Sequence, residues 1–267
     1  MAKWKLMLST IPYVFMMVAV KVFLFKFFAF EGLLDFSDIS VVVTGGVFLI
    51  GFMLAGVIAD YKESEKIPGE IAATLESLEE TYSLAAASRP ALDARGMMES
   101  LQETTDILLT WFYHQTKPED TYAALERISK RGAEIDAAGA TAIANRLISE
   151  VAALRKIIIR VHVIADTSYV ATGYALLESL TVLVMGLLLI AKFKSLLGAI
   201  VLVAFVTLIF VYMLRLIHDL DNPFEYSNPV DTDEPMAPGC TEVDLAPIRE
   251  YRDRLEAKLA PPAAKKS

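Results

Sequence analysis

The stretch ISVVVTGGVFLIGFMLAGVIAD, from Ile39 to Asp60, is the most informative part of this sequence. It carries no charge before Asp60. It is long enough to cross a bilayer as a helix, which takes about 20 apolar residues. It also holds four glycines: Gly45, Gly46, Gly51 and Gly56. Because small residues let helix backbones approach closely in lipid, they indicate that this helix packs against others.

One face of this helix combines large aromatic side chains with small ones. Thr44, Phe48 and Phe52 are spaced four residues apart and form one stripe. Three small residues lie on much the same side: Gly51, Ala55 and Ala59. If several copies met around an axis, this face would form a narrow collar that opens into a wider section. Alternatively, the two phenylalanines contact lipid or a neighbouring helix, and spacing alone leaves both interpretations open.

Bulk composition indicates a membrane protein that is not an enzyme. The 267 residues are 55% hydrophobic, with a mean hydropathy of +0.46. A net charge of −8 without a basic stripe argues against a nucleic-acid partner. The single cysteine, Cys240, excludes an intramolecular disulfide and a cysteine zinc cluster. The three histidines lie far apart, and no GxSxG, Walker or dinucleotide motif is present.

The chain divides into four apolar runs and two polar segments. We predict membrane-spanning helices over about 11–30, 39–60, 169–191 and 196–217. Residues 61–168 are charged and alanine-rich, with apolar residues at helical spacing, and predict three or four long helices. Residues 218–267 hold an acidic turn, a proline-rich linker and a short helix from Pro247 to about Leu259. The expected fold is therefore an all-α membrane protein with a helical bundle between spans two and three.

Basic residues around the spans predict the topology. Four spans place both termini and residues 61–168 on one side of the membrane. Lysines and arginines flank the spans mainly on that side, and only Lys192 and Lys194 oppose them. The positive-inside rule therefore predicts that the termini and the helical segment are cytoplasmic.

Lys21 lies near the middle of the first apolar run, where a charge is costly unless it is compensated. It could snorkel to the interface or form an ion pair, for instance with Glu178 in the third run. Alternatively, Lys21 and Glu178 line an ion path or bias it electrostatically.

The order of segments resembles that of the bestrophin family and its bacterial relatives. Two spans are followed by a charged helical segment, two more spans and then Asn222-Pro223-Phe224. The stretch from Phe48 to Lys66, FLIGFMLAGVIADYKESEK, is similar to the second bestrophin helix. The sequence also departs from the family. Asp60-Tyr61-Lys62 stands where Arg-Trp-Trp is common, and Glu225-Tyr226-Ser227 replaces the glycine and the contiguous aspartates after Pro-Phe. The match is therefore to a distant branch.

The resemblance implies a homopentamer around one pore in the bacterial inner membrane, with lipid and permeating ions as its partners. It also implies a neck lined by Thr44, Phe48 and Phe52, and anions such as chloride as the usual permeating ions, although some bacterial relatives favour cations. A ring of aromatic side chains can block ions by dewetting, while ring edges carry partial positive charge toward a passing anion.

The acidic turn allows two interpretations, and we expect no cofactor. Four aspartates are suited to calcium as hard oxygen ligands: Asp219, Asp221, Asp231 and Asp233. However, their spacing is not that of an EF-hand, and the family's contiguous acidic run is missing. Asp219 and Asp221 could instead bond free backbone groups near the helix end.

Two other functions compete with a channel. The chain could be a subunit of a proton-motive motor, which would need a partner carrying an essential membrane aspartate. It could also be a non-conducting scaffold whose cytoplasmic helices bind partners. Ion flux through purified protein in liposomes separates both from a channel.

Overall fold

Helices form nearly all of the regular structure in this chain. The computed structural model describes residues 2–28, 30, 32–166, 171–226 and 241–260. The helices and strands are α1 (Ala2–Phe28), β1 (Leu34–Asp35), α2 (Phe36–Ser64), α3 (Ile67–Ser88), α4 (Ala94–Phe112), α5 (Pro118–Ala137), α6 (Thr141–Asp166), α7 (Ala171–Ile190), β2 (Ala191–Lys192), α8 (Leu196–Asp221) and α9 (Ala246–Leu259).

Among the described residues, four helices are long and apolar enough to cross a membrane: α1, α2, α7 and α8. The predicted number of spans is confirmed, but the helices extend beyond the apolar runs. α1 contains Pro12 and begins at Ala2 rather than near residue 11, and α8 continues to Asp221 rather than ending near residue 217. Polar residues at the ends of a span continue its backbone hydrogen bonds, so hydropathy marks the apolar part and not the helix end.

Met1–Lys62 and Ser168–Pro223 form one compact unit that contains all four of these helices. Its apolar core joins Met17 of α1 and Ile50 of α2 to Val184 of α7 and Phe210 of α8. α1 runs along α8, and Arg215 Nη1 donates to the Ser9 carbonyl oxygen at 2.7 Å. This bond supplies a partner for a charged side chain inside an apolar helix pair.

A two-residue parallel strand pair corrects the all-helical prediction. β1 pairs with β2 through Leu34 with Ala191 and Asp35 with Lys192. Gly32, just before β1, has φ +113°, and a Cβ added to it would lie 2.6 Å from the Lys192 nitrogen. Glycine is therefore required here both by its backbone conformation and by the close approach of the two chain segments.

Glu63–Thr167 and Phe224–Ser267 form the second compact unit, a bundle of α3, α4, α5, α6 and α9. The predicted apolar stripes are buried here, including Leu75, Leu108 and Leu154. α4 begins at Ala94, and its N-cap is Asp93, whose carboxylate accepts from the Gly96 nitrogen at 2.9 Å.

α9 closes this bundle by packing on α3 and α4. It buries Ile248, Tyr251 and Leu255, and the Tyr251 hydroxyl donates to the Leu75 carbonyl oxygen at 3.3 Å. From the sequence, the first residue of this helix was predicted to be Pro247, one residue after its actual start at Ala246. The prediction used the preference of proline for the first turn of a helix.

Candidate functional site

α2 is held to its own chain along one side only. The buried positions Ile39, Gly46, Ile50 and Val57 lie within about 40° of one another around an α-helix. Ile50 and Val57 belong to the apolar core of the first unit. This face therefore sets how α2 is rotated in the unit.

Gly46 is the point of closest packing on that face. A Cβ added to it would lie 2.7 Å from Phe210 Cζ and 2.9 Å from Phe210 Cε1. Phe210 is itself fully buried, so its ring has no room to withdraw. The backbone of α2 therefore rests on an aromatic ring of α8. The sequence does not show which of the four glycines makes this contact, although the spacing of Ile39, Gly46, Ile50 and Val57 could have indicated it.

The stripe of Thr44, Phe48 and Phe52 lies on the opposite side of α2. Phe48 is 73% exposed and Phe52 is 72% exposed in the single chain. The Thr44 hydroxyl donates to the Ser40 carbonyl oxygen at 2.8 Å, which leaves its oxygen lone pairs facing outward. Gly51, Ala55 and Ala59 are on this side, within a stripe about 100° wide.

The exposed faces of α1 and α8 carry mainly large apolar side chains, whereas that of α7 also holds the small residues Ala175, Ser179 and Gly186. α1 exposes Phe15 and Phe27, α7 exposes Val182, and α8 exposes Leu197 and Phe205. Large apolar side chains of this kind are typical of surfaces that contact lipid tails. On α2, two phenylalanines share their face with Gly51, Ala55 and Ala59, and small residues are typical of a surface that approaches another backbone.

Lys21 lies inside the first unit rather than on an exposed face. It is 3% exposed, and its Nζ donates to the carbonyl oxygens of Leu189 at 2.8 Å and Ala191 at 2.6 Å. Its ammonium also lies 5.0 Å from the centroid of the Phe193 ring. Lys21 therefore satisfies free carbonyls at the end of α7.

The suggested ion pair of Lys21 with Glu178 is not formed. Glu178 is exposed on α7, eleven residues before Leu189 and so about 16 Å along the helix from it. The ammonium is held at the far end of α7 by main-chain oxygens, which the sequence could not indicate. A role of Glu178 in an ion path stays a prediction.

The acidic residues after the fourth span fall partly outside the described residues. Asp219 is exposed and Asp221 is half-buried in the last turn of α8, while Asp231 and Asp233 lie outside the described residues. Within the parts of the chain that are described, no three His, Cys, Asp or Glu side chains converge on a metal-sized site. The expectation about calcium therefore stays a prediction.

Comparison with known proteins relates the whole chain to one fold. No protein-family model and no curated protein sequence matches it. A crystal structure of a bacterial bestrophin homolog from Klebsiella pneumoniae matches with a TM-score of 0.73 and 14% identity, over 96% of this chain and 100% of that one. A crystal structure of a membrane protein variant matches with a TM-score of 0.74 and 14% identity, over 94% of this chain and 98% of that one. The chain therefore has the fold of the bacterial bestrophin homologs, and the 14% identity fits the distant branch that the sequence implied.

Proposed function

We propose that this protein is an ion channel of the bestrophin type, in which five copies surround one pore and the exposed face of α2 lines the neck. The observation that carries this proposal is that α2 packs on its own chain along one side only. One side is buried in its own chain at Gly46 and Ile50, while the opposite side presents Phe48 and Phe52 outward. A helix anchored in this way can present its free face to an axis shared by several copies.

The side chains on that face suit a hydrophobic gate for anions. Rings of phenylalanine at two successive levels narrow the passage and favour its dewetting, which raises the barrier to hydrated ions. The edges of the rings carry partial positive charge, which favours an anion such as chloride over a cation. Beyond them, Ala55 and Ala59 leave a wider section in which an ion keeps its water.

The proposed setting is a bacterial inner membrane. Four helices can cross it by length and composition. The excess of Lys and Arg beside the second unit supports a cytoplasmic position for that unit and for both termini. A motor subunit or a scaffold would use the same spans but would carry no ion flux without a partner.

Truncation of the two rings tests the neck. Phe48→Ala and Phe52→Ala remove a ring from every copy, so water stays in the constriction and flux through purified protein in liposomes should rise. The matched control is Phe205→Ala, which truncates a phenylalanine that is 60% exposed on α8. We expect this control to leave flux unchanged, because its ring faces lipid.

A second control separates gating from folding. Phe210 is fully buried against Gly46, so Phe210→Ala should cost about 3–5 kcal/mol and lower the yield of assembled protein without raising flux. If Phe48→Ala and Phe52→Ala assemble normally and their flux equals that of the wild type, this face is not the neck. A wild-type protein that stays monomeric in native mass spectrometry, or conducts no ions, would overturn the channel itself.

A further inference from the structure

The second compact unit exposes an apolar line along α6. Within the described residues of this unit, four large apolar side chains are exposed, and three of them belong to α6: Ile148, Ile159 and Val163. Ile148, Ala152, Arg155 and Ile159, here called the α6 line, are spaced by four, three and four residues and lie within about 60° around the helix. Such spacing is typical of a helix face that packs against another helix.

α9 carries a line with the same spacing on the side that faces away from its own bundle. Ala246, Glu250, Asp253 and Ala257, here called the α9 line, lie opposite the three residues that α9 buries. Each line is about 17 Å long. The two lines are complementary, because isoleucines end the α6 line and alanines end the α9 line. An arginine lies in the middle of the first, and two carboxylates lie in the middle of the second.

The arginines next to the α9 line are bonded within their own chain. Asp253 Oδ1 accepts from Arg252 Nη2 at 2.8 Å at the edge of the line. Arg254, whose charge acts on Glu250, donates to Glu76 on α3 and is thereby directed back to its own bundle. Glu250 is exposed, so its carboxylate is placed to meet a cation of another copy.

α3 packs against both α6 and α9 and relates the two lines to each other. The Tyr251 hydroxyl donates to the Leu75 carbonyl oxygen at 3.3 Å, and Lys258 Nζ donates to Glu79 Oε1 at 2.5 Å. α9 therefore runs in the same direction as α3, and Asp253 lies near the level of Leu75.

α6 runs in the opposite direction. Ser77 Oγ donates to Glu150 Oε1 at 2.6 Å. About one turn earlier in α6, Arg146 Nη2 lies 3.6 Å from Oε2 of Glu80, which is about one turn later in α3. α6 is therefore antiparallel to both α3 and α9.

Both lines lie at the same level along this bundle. Ala152 follows Glu150 by two residues and so lies near the level of Leu75, as Asp253 does. A rotation about an axis along these helices changes neither level nor direction. A ring of copies also needs two different faces on each copy, because its interfaces are heterologous. Rotation alone therefore brings the α6 line of one copy to the level of the α9 line of the next, in antiparallel orientation.

We propose that the α6 line binds the α9 line of the neighbouring copy and so joins the second units into a ring. This inference rests on the proposed channel, in which several copies surround one axis. In antiparallel register, Arg155 faces Glu250 of the partner subunit, and Ala152 faces Asp253 of the partner subunit. The isoleucines pack on the partner's alanines, which removes exposed apolar surface from water. The central charge pair fixes the register of the two helices.

Disulfide cross-linking of the full chain tests this register. In a Cys240→Ser background, mild oxidation of purified protein that carries Ala152→Cys and Asp253→Cys should give a ladder of covalent oligomers on a non-reducing gel. The matched control is Ala152→Cys with Ala246→Cys. It uses the same two lines but is displaced by seven residues, about 10 Å, and should give no ladder, because the Cα atoms of a disulfide lie within about 7 Å of each other.

Single substitutions show which faces meet. Ala152→Cys alone and Asp253→Cys alone should give no covalent dimer, whereas co-expression of the two variants should give one. A covalent dimer from Ala152→Cys alone would show that two α6 lines meet, and it would overturn the proposal.

Charge exchange tests the contact of Arg155 with the partner subunit. Added to the cross-linking pair, Arg155→Glu or Glu250→Arg should lower the yield of the ladder about tenfold, since like charges then face each other. The two substitutions together should restore the yield. Ile148→Asp should also lower it, whereas Leu84→Asp should not, although Leu84 on α3 is as exposed as Ile148, at 46%. Melting temperatures equal to that of the parent protein would assign these losses to the contact rather than to folding.

The outcomes separate the two proposals. A wild-type protein that stays monomeric in native mass spectrometry overturns the channel and this inference together. An oligomer that conducts ions, but whose paired cysteines give no ladder or whose ladder is insensitive to both charge reversals, overturns the contact between α6 and α9 alone.

Discussion

Gly46→Ala tests whether α2 is oriented by its contact with α8. The added Cβ would lie 2.7 Å and 2.9 Å from two ring atoms of Phe210, closer than carbon atoms pack. Phe210 is fully buried and belongs to the same apolar core as Ile50, so its ring cannot move without displacing that core. The substitution therefore forces the backbones of α2 and α8 apart.

The size of the effect follows from two opposing contributions. Overpacking of a filled core costs about 1–3 kcal/mol. Replacing a helical glycine by alanine returns up to about 1 kcal/mol through helix propensity. With the full return, we expect a net loss of up to about 2 kcal/mol in the free energy of unfolding, which lowers the melting temperature by up to about 8 °C for a protein of this size.

Thermal unfolding in detergent, followed by intrinsic fluorescence, measures this loss. Two glycines provide matched controls, because a Cβ at Gly45 or at Gly186 meets no atom within 4 Å. Gly45→Ala and Gly186→Ala should therefore leave the melting temperature unchanged or raise it slightly.

A double-mutant cycle identifies the contact itself. Phe210→Leu removes ring atoms that the new methyl group would strike, so Gly46→Ala should cost less in that background, with a coupling energy of about 0.5–3 kcal/mol. If Gly46→Ala melts at the same temperature as Gly45→Ala, or if Gly46→Ala and Phe210→Leu are additive, the contact with Phe210 does not orient α2.

Three further predictions concern the charged residues. Lys21→Met removes two hydrogen bonds to main-chain carbonyls at a buried position, so we expect the protein to lose about 2 kcal/mol of stability, measured by thermal unfolding. In a background without Cys240, Lys194→Cys should react with an impermeant thiol reagent in intact cells, and Lys130→Cys should not. The reverse pattern of labelling would contradict the predicted topology. Calcium should not raise the melting temperature appreciably, and a large calcium-dependent rise that Asp231→Ala with Asp233→Ala abolishes would show that the acidic turn does bind the ion.

The sequence determined the class of protein and the type of each long element. Apolar runs of membrane length and apolar stripes at helical spacing reflect burial along one helix at a time, and both can be read from neighbouring residues. For this reason the four spans and the buried stripes of the second unit, such as that of Leu75 and Leu108, follow from the amino-acid sequence alone. The spacing of Thr44, Phe48 and Phe52 is also visible there, but the direction in which the stripe faces is not.

The direction in which each side chain of the spans faces depends on contacts between residues that are far apart in the sequence. Phe210 lies 164 residues beyond Gly46, and Lys21 donates to carbonyls that are 168 and 170 residues away. These contacts depend on how α1, α2, α7 and α8 pack together, and the sequence of one helix does not show which residue of another helix it meets. The packing buries Gly46, leaves Phe48 and Phe52 exposed, and removes Lys21 from the surface. The sequence does not show whether a lysine in an apolar run lines a passage or donates hydrogen bonds to the end of another helix. The carbonyl oxygens that accept from Lys21 belong to residues far from it in the chain.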